Sequence, residues 1–241
     1  MMLLPWHRRP PEWADQFAPL GRAARHAAPV LRQFYRALPP SADTPLAQVS
    51  LAALDLETTG LDPRRDAIVS LGLIPFDLAR IRLAESRYWV VKPDTGLAPE
   101  SVRFHHITHS QVEQAPPLSQ VLAELLDAMT GRVMVVHYRP IERAFLDRAA
   151  RRLLGGPLSF PVIDTMQLEA RYQRRAALGL WRWWHGQRQA SLRLADARRR
   201  YGLPAYRAHH ALTDALATAE LLQAQVAHHF KNPPPVGAVW C

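Results

Sequence analysis

The order of apolar segments constrains the fold of this chain more than any other feature of the sequence. Short segments of strand length come first, and strands then alternate with segments of helical periodicity. A chain with this order forms an α/β domain around a mixed β-sheet. The predicted strands are residues 48–56, 67–76, 81–91, 132–137 and 161–163, and the predicted helices are residues 118–129, 141–154, 165–177, 191–201 and 209–229.

Both ends of the chain differ in composition from this central part. Residues 1–45 carry eight prolines, a short helical pattern over residues 23–38 and a linker-like stretch at residues 39–45. Residues 231–241 contain three consecutive prolines, which fit neither a helix nor a strand. We therefore predict an N-terminal extension and linker (1–45), one domain (46–230) and a flexible C-terminal tail (231–241).

Composition excludes several classes of protein. No stretch of eighteen apolar residues exists, so no membrane span is expected. The single cysteine, Cys241, excludes an internal disulfide framework and a cysteine-based zinc site. The first residues contain no apolar run of signal-peptide length, so we expect a cytoplasmic location.

The charge balance indicates a polyanionic partner. The chain has 30 Lys and Arg against 21 Asp and Glu, a formal net charge of +9, and 28 of the 30 basic residues are arginine. Arginine binds phosphate through a planar fork of donors, so nucleic acid is the expected partner. A GC-rich genome would explain the excess of arginine over lysine, but not the net charge.

Two carboxylates follow the first predicted strand. Asp55 and Glu57 are two residues apart, so both side chains leave the same face of the strand. They lie at the carboxyl edge of the predicted sheet, where open α/β sheets bind ligands. Carboxylates this close favour a shared cation, and Mg²⁺ or Mn²⁺ suits their oxygens. An isolated pair of this kind could equally be a surface feature.

Further motifs follow in a fixed order, and together they resemble the DEDDh exonucleases, the family of the proofreading epsilon subunit of bacterial DNA polymerase III. The resemblance runs from about residue 51 to residue 222. The segments that carry it are 55–61 (DLETTGL), 101–108 (SVRFHHIT), 135–146 (VVHYRPIERAFL), 162–165 (VIDT), 191–204 (SLRLADARRRYGLP) and 209–215 (HHALTDA).

The resemblance implies a ribonuclease H-like mixed sheet flanked by helices, here with a helical N-terminal extension. It also implies two divalent cations, Mg²⁺ or Mn²⁺, held by Asp55, Glu57, Glu142 and Asp214. His209 would take the proton from the attacking water, which suits the ordinary pKa of histidine. Without the surrounding motif, His209 could be an ordinary residue at the N-terminus of a helix. The chain's other histidines lack the ligand spacing of a zinc site.

One metal-ligand position departs from the family pattern. Glu142 stands where the family has aspartate, and Asp147 lies about 140° further around the same predicted helix, so it cannot replace Glu142. Glutamate offers the same oxygens on a longer side chain, and we predict that Glu142 keeps the metal role; an impaired site is the alternative. Tyr138 replaces the family's usual asparagine, and its role stays open.

The candidate substrate residues come from three parts of the chain. The family resemblance implies contacts to the terminal nucleotide from Thr58, Thr59 and Leu61, and weaker candidates are Phe104, His105 and His137. Residues 171–200 contain nine arginines and one acid, interrupted by tryptophans that could stack on bases. From this arginine–tryptophan segment we select Arg174, Arg175, Arg182 and Trp183; a solvated helix pair is the alternative interpretation.

These patterns predict a metal-dependent 3′→5′ exonuclease that releases nucleoside monophosphates from single-stranded or frayed DNA. An exoribonuclease is the first alternative, because the sequence shows no contact that would distinguish a 2′-hydroxyl. A non-catalytic nucleic-acid-binding or polymerase-accessory module is the second. Association with a DNA polymerase is a further expectation from the resemblance.

Overall fold

The protein is built on one mixed sheet. The computed structural model describes residues 12–93, 109–177, 190–207 and 209–241. Within these ranges the sheet has the order β3-β2-β1-β4-β5, with β1 and β2 and likewise β2 and β3 antiparallel, and with β4 parallel to both β1 and β5. The strands are β1 (Leu51–Thr58), β2 (Ile68–Phe76), β3 (Arg87–Val90), β4 (Val133–Val136) and β5 (Val162–Asp164). The predicted mixed sheet is confirmed.

Eight helices surround the sheet in the described part of the chain. They are α1 (Trp13–Ala23), α2 (Pro29–Arg36), α3 (His109–Glu113), α4 (Leu118–Met129), α5 (Pro140–Leu153), α6 (Thr165–Ala177), α7 (Leu194–Arg200) and α8 (Ala211–His229). The helices α4, α5 and α6 begin and end within one residue of the prediction. None of the helices described is long and apolar enough to cross a lipid bilayer.

The third strand is much shorter than predicted. The sequence pattern predicts a strand over residues 81–91, but only Arg87–Val90 pairs with β2 as a strand. Asp77 caps the turn after β2, because its Oδ1 accepts the backbone N–H groups of Ala79 and Arg80, both at 2.8 Å. Its Oδ2 binds the Arg82 guanidinium at 2.6 Å. These bonds hold the turn, and Ile81 makes a single bridge to Phe76. The residues Leu83–Glu85 then form a 3₁₀ helix, so regular pairing with β2 begins only at Arg87.

From residue 12 onward, the N-terminal extension forms two helices that pack against the sheet domain. The predicted helix over residues 23–38 is wrong at its start, because α1 ends at Ala23 and α2 begins at Pro29. Proline lacks an N–H and has a helical φ, so it fits the first position of α2. Trp13, Phe17 and Phe34 are buried in the same hydrophobic core as the central strands. The boundary between residues 45 and 46 stays a prediction.

The predicted flexible tail is wrong. Val236 and Trp240 are buried, and the Trp240 ring meets the Trp13 ring edge to face at 6.5 Å. The backbone N–H of Cys241 donates to the carbonyl of Val162 in β5 at 2.8 Å. The prolines do prevent regular structure over residues 232–235, but the apolar side chains after them anchor the chain to the core.

Candidate active site

Four carboxylates from three elements meet at the carboxyl end of β1. Asp55 and Glu57 lie at this end of the strand, Glu142 lies in the first turn of α5, and Asp214 lies in the first turn of α8. The negative charges of Glu142, Asp214 and Glu57 all raise the pKa of Asp55, which shows that the four groups interact. The structure therefore brings the predicted acidic residues together.

The position of α8 depends on a glycine that the sequence analysis did not single out. Gly72 of β2 lies opposite Asp55 of β1 on one side and opposite Tyr88 of β3 on the other. A Cβ atom at Gly72 would lie 2.5 Å from the backbone oxygen of Ala211, the first residue of α8. Only glycine permits this approach, which places the start of α8 beside Asp55. A glycine inside an otherwise apolar strand was the signal in the sequence.

Burial and mutual repulsion favour protonation of the cluster. Burial, followed by the neighbouring charges, raises the pKa of Asp55 well above its usual range. Burial and the nearby Asp214 raise the pKa of Glu57 to about 7. Burial also raises the pKa of Asp214, against the effect of a hydrogen bond from the His209 backbone. Such a group of carboxylates is stabilised by protons or by bound cations.

His209 lies before α8 in a left-handed backbone conformation. Its φ is +67°, and its backbone N–H donates to Oδ2 of Asp214 at 2.8 Å. The exposed His209 ring, Glu57 and Asp214 offer ligand atoms that all lie within 4.8 Å of one another. The structure thus places the predicted general base beside the carboxylates, outside the helix, where its ring is open to solvent.

The cluster fits a divalent cation. Glu142 is buried, with 3% of its surface exposed, and its Oε2 has no hydrogen-bond partner among the described residues. Burial raises the pKa of Glu142 well above its usual range. An unpartnered buried carboxylate oxygen is costly, and a hard cation with oxygen ligands would satisfy it. Asp55, Glu57, Glu142 and Asp214 are the residues that would hold such ions.

Asp147 lies away from the carboxylate cluster, as predicted from its angle around the helix. Its Oδ1 accepts a hydrogen bond from the backbone N–H of Leu158 at 2.9 Å, and its Oδ2 accepts one from the Arg151 guanidinium at 2.8 Å. The first bond holds the loop after α5 and the second lies within α5, so both engage Asp147 away from the carboxylate cluster. Glu142 is therefore the acid that α5 contributes.

Asp164 positions the start of α5, a role that the sequence motif did not reveal. Its two oxygens accept the backbone N–H groups of Tyr138 and Arg139 at 3.2 and 3.1 Å. It also accepts two backbone N–H groups in the first turn of α6. One buried carboxylate thus ties together the N-termini of α5 and α6, which fixes the first turn that carries Glu142.

Most polar side chains of the loop after β1 form hydrogen bonds within the loop itself. The Thr58 hydroxyl donates to the carbonyl of Gly60 at 2.7 Å, and the Thr59 hydroxyl contacts Oδ1 of Asp66 at 3.3 Å. A Cβ at Gly60 would lie 2.7 Å from the same Asp66 oxygen, so a larger residue here would displace the Asp66 carboxylate. Leu61 is 79% exposed. The exposed Leu61 side chain is therefore available to a nucleotide, whereas the threonine hydroxyls are engaged within the loop.

Both ring nitrogens of His137 form hydrogen bonds with other residues of the chain. Nδ1 lies 2.8 Å from the Thr165 hydroxyl, and Nε2 lies 2.9 Å from the carbonyl of Leu192. Burial lowers the pKa of this imidazole. The ring therefore connects β4 to the segment before α7, and its predicted contact with substrate stays a prediction.

The arginine–tryptophan segment is only partly described. Arg174 is exposed on α6, whereas Phe104, His105, Arg182, Trp183 and the side chain of Arg175 lie outside the described residues. Arg198 is buried and donates to Glu220 at 2.7 Å, and Arg200 donates to the buried Glu169 at 2.8 Å. At least these two arginines stabilise the fold, so the segment is not a uniform surface for nucleic acid.

Several known proteins are similar to this chain in sequence. The sequence profile of the RNase T exonuclease family matches residues 52–222. The chain belongs to this exonuclease family. It is 29% identical over 184 residues to the DNA polymerase III subunit epsilon of Treponema pallidum, a match that covers 76% of this chain and 80% of the relative. It is 27% identical to the PolC-type DNA polymerase III of Thermotoga maritima over 75% of this chain, but the match spans only 12% of that longer protein.

Solved structures share the fold. Cell-death related nuclease 4 superposes with a TM-score of 0.62 and 20% identity, over 79% of this chain and 67% of that one. The nuclease domain of 3′hExo, a DEDDh family member, superposes with a TM-score of 0.60 and 15% identity, over 77% and 95% of the two chains. The chain thus combines the sequence of an exonuclease family with a ribonuclease H-like fold, in a family that uses divalent metal ions and acts on nucleic acids.

Proposed function

We propose that this exonuclease hydrolyses phosphodiester bonds from the 3′ end of single-stranded or frayed DNA and releases nucleoside monophosphates. The observation that carries the proposal is the meeting of Asp55, Glu57, Glu142 and Asp214 beside His209. The similarity to an epsilon subunit of DNA polymerase III supports DNA as the substrate.

Each group in the site has a distinct task. The four carboxylates are suited to hold two divalent cations, Mg²⁺ or Mn²⁺, which would supply positive charge to the reacting phosphate. The His209 ring is exposed and close enough to Glu57 and Asp214 to accept the proton of an attacking water. Asp214 accepts the His209 backbone N–H, which orients the residue. Leu61 is placed to contact the terminal nucleotide.

Three further expectations remain predictions: the cellular location, the association with a DNA polymerase and the additional contacts to the substrate strand. Association with a DNA polymerase rests on the similarity to the epsilon subunit. A cytoplasmic location rests on the sequence alone. Contacts to the strand from Arg174, Arg175, Arg182, Trp183, Phe104 and His105 also rest on the sequence.

RNA is the second candidate substrate. The 3′hExo nuclease domain, which shares this fold, was solved with rAMP, whereas exonuclease I of Escherichia coli, which also shares it, was solved with single-stranded DNA. These two neighbours differ in the nucleic acid they hold, so the fold does not select between DNA and RNA. No observation favours a non-catalytic module.

Degradation of matched DNA and RNA oligonucleotides tests the proposal. With a 5′ label and Mg²⁺ or Mn²⁺, we expect a ladder of products shortened from the 3′ end and faster loss of DNA than RNA. The Asp55→Ala variant should give no ladder, and Asp15→Ala, which removes an exposed carboxylate on α1, should match the parent. Faster loss of RNA would establish the exoribonuclease, and an active Asp55→Ala variant would place the chemistry elsewhere.

A further inference from the structure

A second charged surface lies beside the carboxylate cluster. A cavity of about 100 Å³ is formed by the loop after β1, the end of β3 and one face of α5. Among the described residues that line it, five are cationic and one is acidic. We call this surface the arginine cleft; its charged residues are Arg64, Arg65, Asp66, Lys92, Arg148 and Arg152.

The single acid of the arginine cleft is already engaged. Asp66 Oδ2 accepts the backbone N–H of Asp62 at 2.8 Å, and Asp66 Oδ1 contacts the Thr59 hydroxyl at 3.3 Å. These bonds shape the loop and hold the Asp66 carboxylate within it. Among the described lining residues the cations outnumber the acid by four, and Arg65 also pairs with an acid outside the lining, Asp62 at 3.8 Å. A group of like charges of this kind favours the binding of an anion.

The cleft shares its structural elements with the active site. Its loop wall, which starts at Pro63, belongs to the loop that follows Thr58, the last residue of β1. The Arg148 guanidinium ties that loop to α5 by donating to the carbonyl of Arg64 at 3.2 Å. Glu142 lies in the first turn of α5, and Arg148 and Arg152 lie about 9 and 15 Å further along the helix axis. These axial distances leave the cations within reach of a strand whose 3′ end is bound at the carboxylates.

We propose that the arginine cleft binds the phosphodiester backbone of the substrate strand, away from the bond that is cleaved. This inference rests on the proposed nuclease function. Arginine donors match phosphate oxygens through a planar fork of N–H groups. The cleft would extend the binding site beyond the terminal nucleotide without reading the base sequence, because phosphate contacts carry no sequence information.

A salt titration of binding tests the cleft. The double variant Arg64→Gln/Lys92→Gln removes two cations from separate segments and keeps the Arg148 tether, which binds the backbone of residue 64. The control, Arg22→Gln/Arg32→Gln, makes the same charge change at exposed positions on α1 and α2. Affinity for a fluorescent single-stranded 20-mer and for a dinucleotide is measured without divalent metal, so that no cleavage occurs.

We expect the cleft variant to bind the 20-mer more weakly than the parent. The slope of log affinity against log salt should be flatter by about 1.4, which is 0.7 for each of two lost phosphate contacts on a single strand. Dinucleotide affinity should stay unchanged, and the control should keep the parent slope. An unchanged slope in the cleft variant, or an equal loss of dinucleotide binding, would overturn the proposal.

Failure of the proposed nuclease function would give a different experimental result from failure of the cleft proposal. If the parent released no mononucleotide with Mg²⁺ or Mn²⁺ yet the cleft variant showed the flatter slope, the proposed function would be wrong and the cleft would still bind nucleic acid. If the parent cleaved normally and both double variants kept the parent slope, only the cleft proposal would fail.

Discussion

At the scale of single residues, Glu142 is the most informative departure from the family pattern. It is buried, and its Oε2 has no partner among the described residues, so the carboxylate is suited to bind a cation. We expect Glu142→Asp to keep or raise nuclease activity and Glu142→Gln to lose most of it, because the amide cannot carry the negative charge. Initial rates across a series of Mn²⁺ concentrations would check this. A glutamine variant as active as the parent would show that the carboxylate has no metal role.

Tyr138 is strained at a position where the family has asparagine. Its φ is +93°, its ring is 47% exposed, and its backbone N–H is held by Asp164. A non-glycine residue in such a conformation costs about 1–3 kcal/mol, and asparagine tolerates positive φ better. Tyr138→Asn should therefore raise the free energy of unfolding by about 1 kcal/mol. Urea unfolding measures it, with Tyr138→Phe as the control that keeps the strain. Lower stability of the asparagine variant would show that the ring contributes packing that exceeds the strain.

At the scale of elements, the contact between β2 and α8 sets the geometry of the site. Alanine at position 72 would push its Cβ against the backbone of Ala211 and Leu212 and displace the start of α8. We expect Gly72→Ala to lower kcat by about a hundredfold, since a displacement of 1 Å in an active site can have that effect. Leu73→Ala on the same strand should lose stability but keep its specific activity while folded. Equal kcat in the parent and Gly72→Ala would show that α8 tolerates the shift.

Three helices are joined by one buried carboxylate, Glu169 of α6. It accepts hydrogen bonds from Arg200 at the end of α7, from Tyr201 and from Gln225 of α8. Burial alone would raise the pKa of Glu169, but these bonds, with one from Gln173, outweigh it and lower the pKa. A lowered folded-state pKa contributes stability above the unfolded-state pKa near about 4.3, and this stability is lost as the pH falls.

Replacing this carboxylate should therefore have a pH-dependent effect. We expect Glu169→Gln to lower the free energy of unfolding by about 2 kcal/mol at pH 7, because it leaves a partly buried guanidinium without its anion. The difference from the parent should shrink as the pH falls below the unfolded-state pKa near about 4.3, because the stability that the charged Glu169 contributes is lost in that direction. Urea unfolding at pH 7, 5 and 3.5 measures this. A difference that stays constant with pH would mean that the charge of Glu169 contributes nothing.

The sequence predicts elements better than the contacts between them. Local periodicity placed α4, α5 and α6 within a residue, because each has its own apolar face. It could not place Trp240 against Trp13, since that contact joins the two ends of the described chain. The roles of Gly72 and Asp164 likewise depend on partners in other elements. The carboxylates and His209 were found because family motifs fix their spacing, whereas the arginine cleft follows no motif.

At the scale of the whole molecule, the carboxylate cluster couples folding to metal binding. Without metal, burial and mutual repulsion raise the pKa values of Asp55 and Glu57, so their charged forms destabilise the folded state at neutral pH. Removing one of these carboxylates relieves repulsion. We therefore expect Asp55→Ala to be at least as stable as the parent in EDTA.

Addition of Mn²⁺ should reverse this order of stability. A cation that binds only the folded state stabilises it by about 2.7 kcal/mol at a hundred times its dissociation constant. The Tm of the parent should rise with Mn²⁺ concentration, and that of Asp55→Ala should not, while Asp15→Ala on α1 should follow the parent. Thermal unfolding at pH 7.5 over a range of Mn²⁺ concentrations measures all three. A parallel rise in the Tm of the Asp55→Ala variant would show that the stabilising ion binds outside the cluster, because its effect on the Tm would then not depend on Asp55.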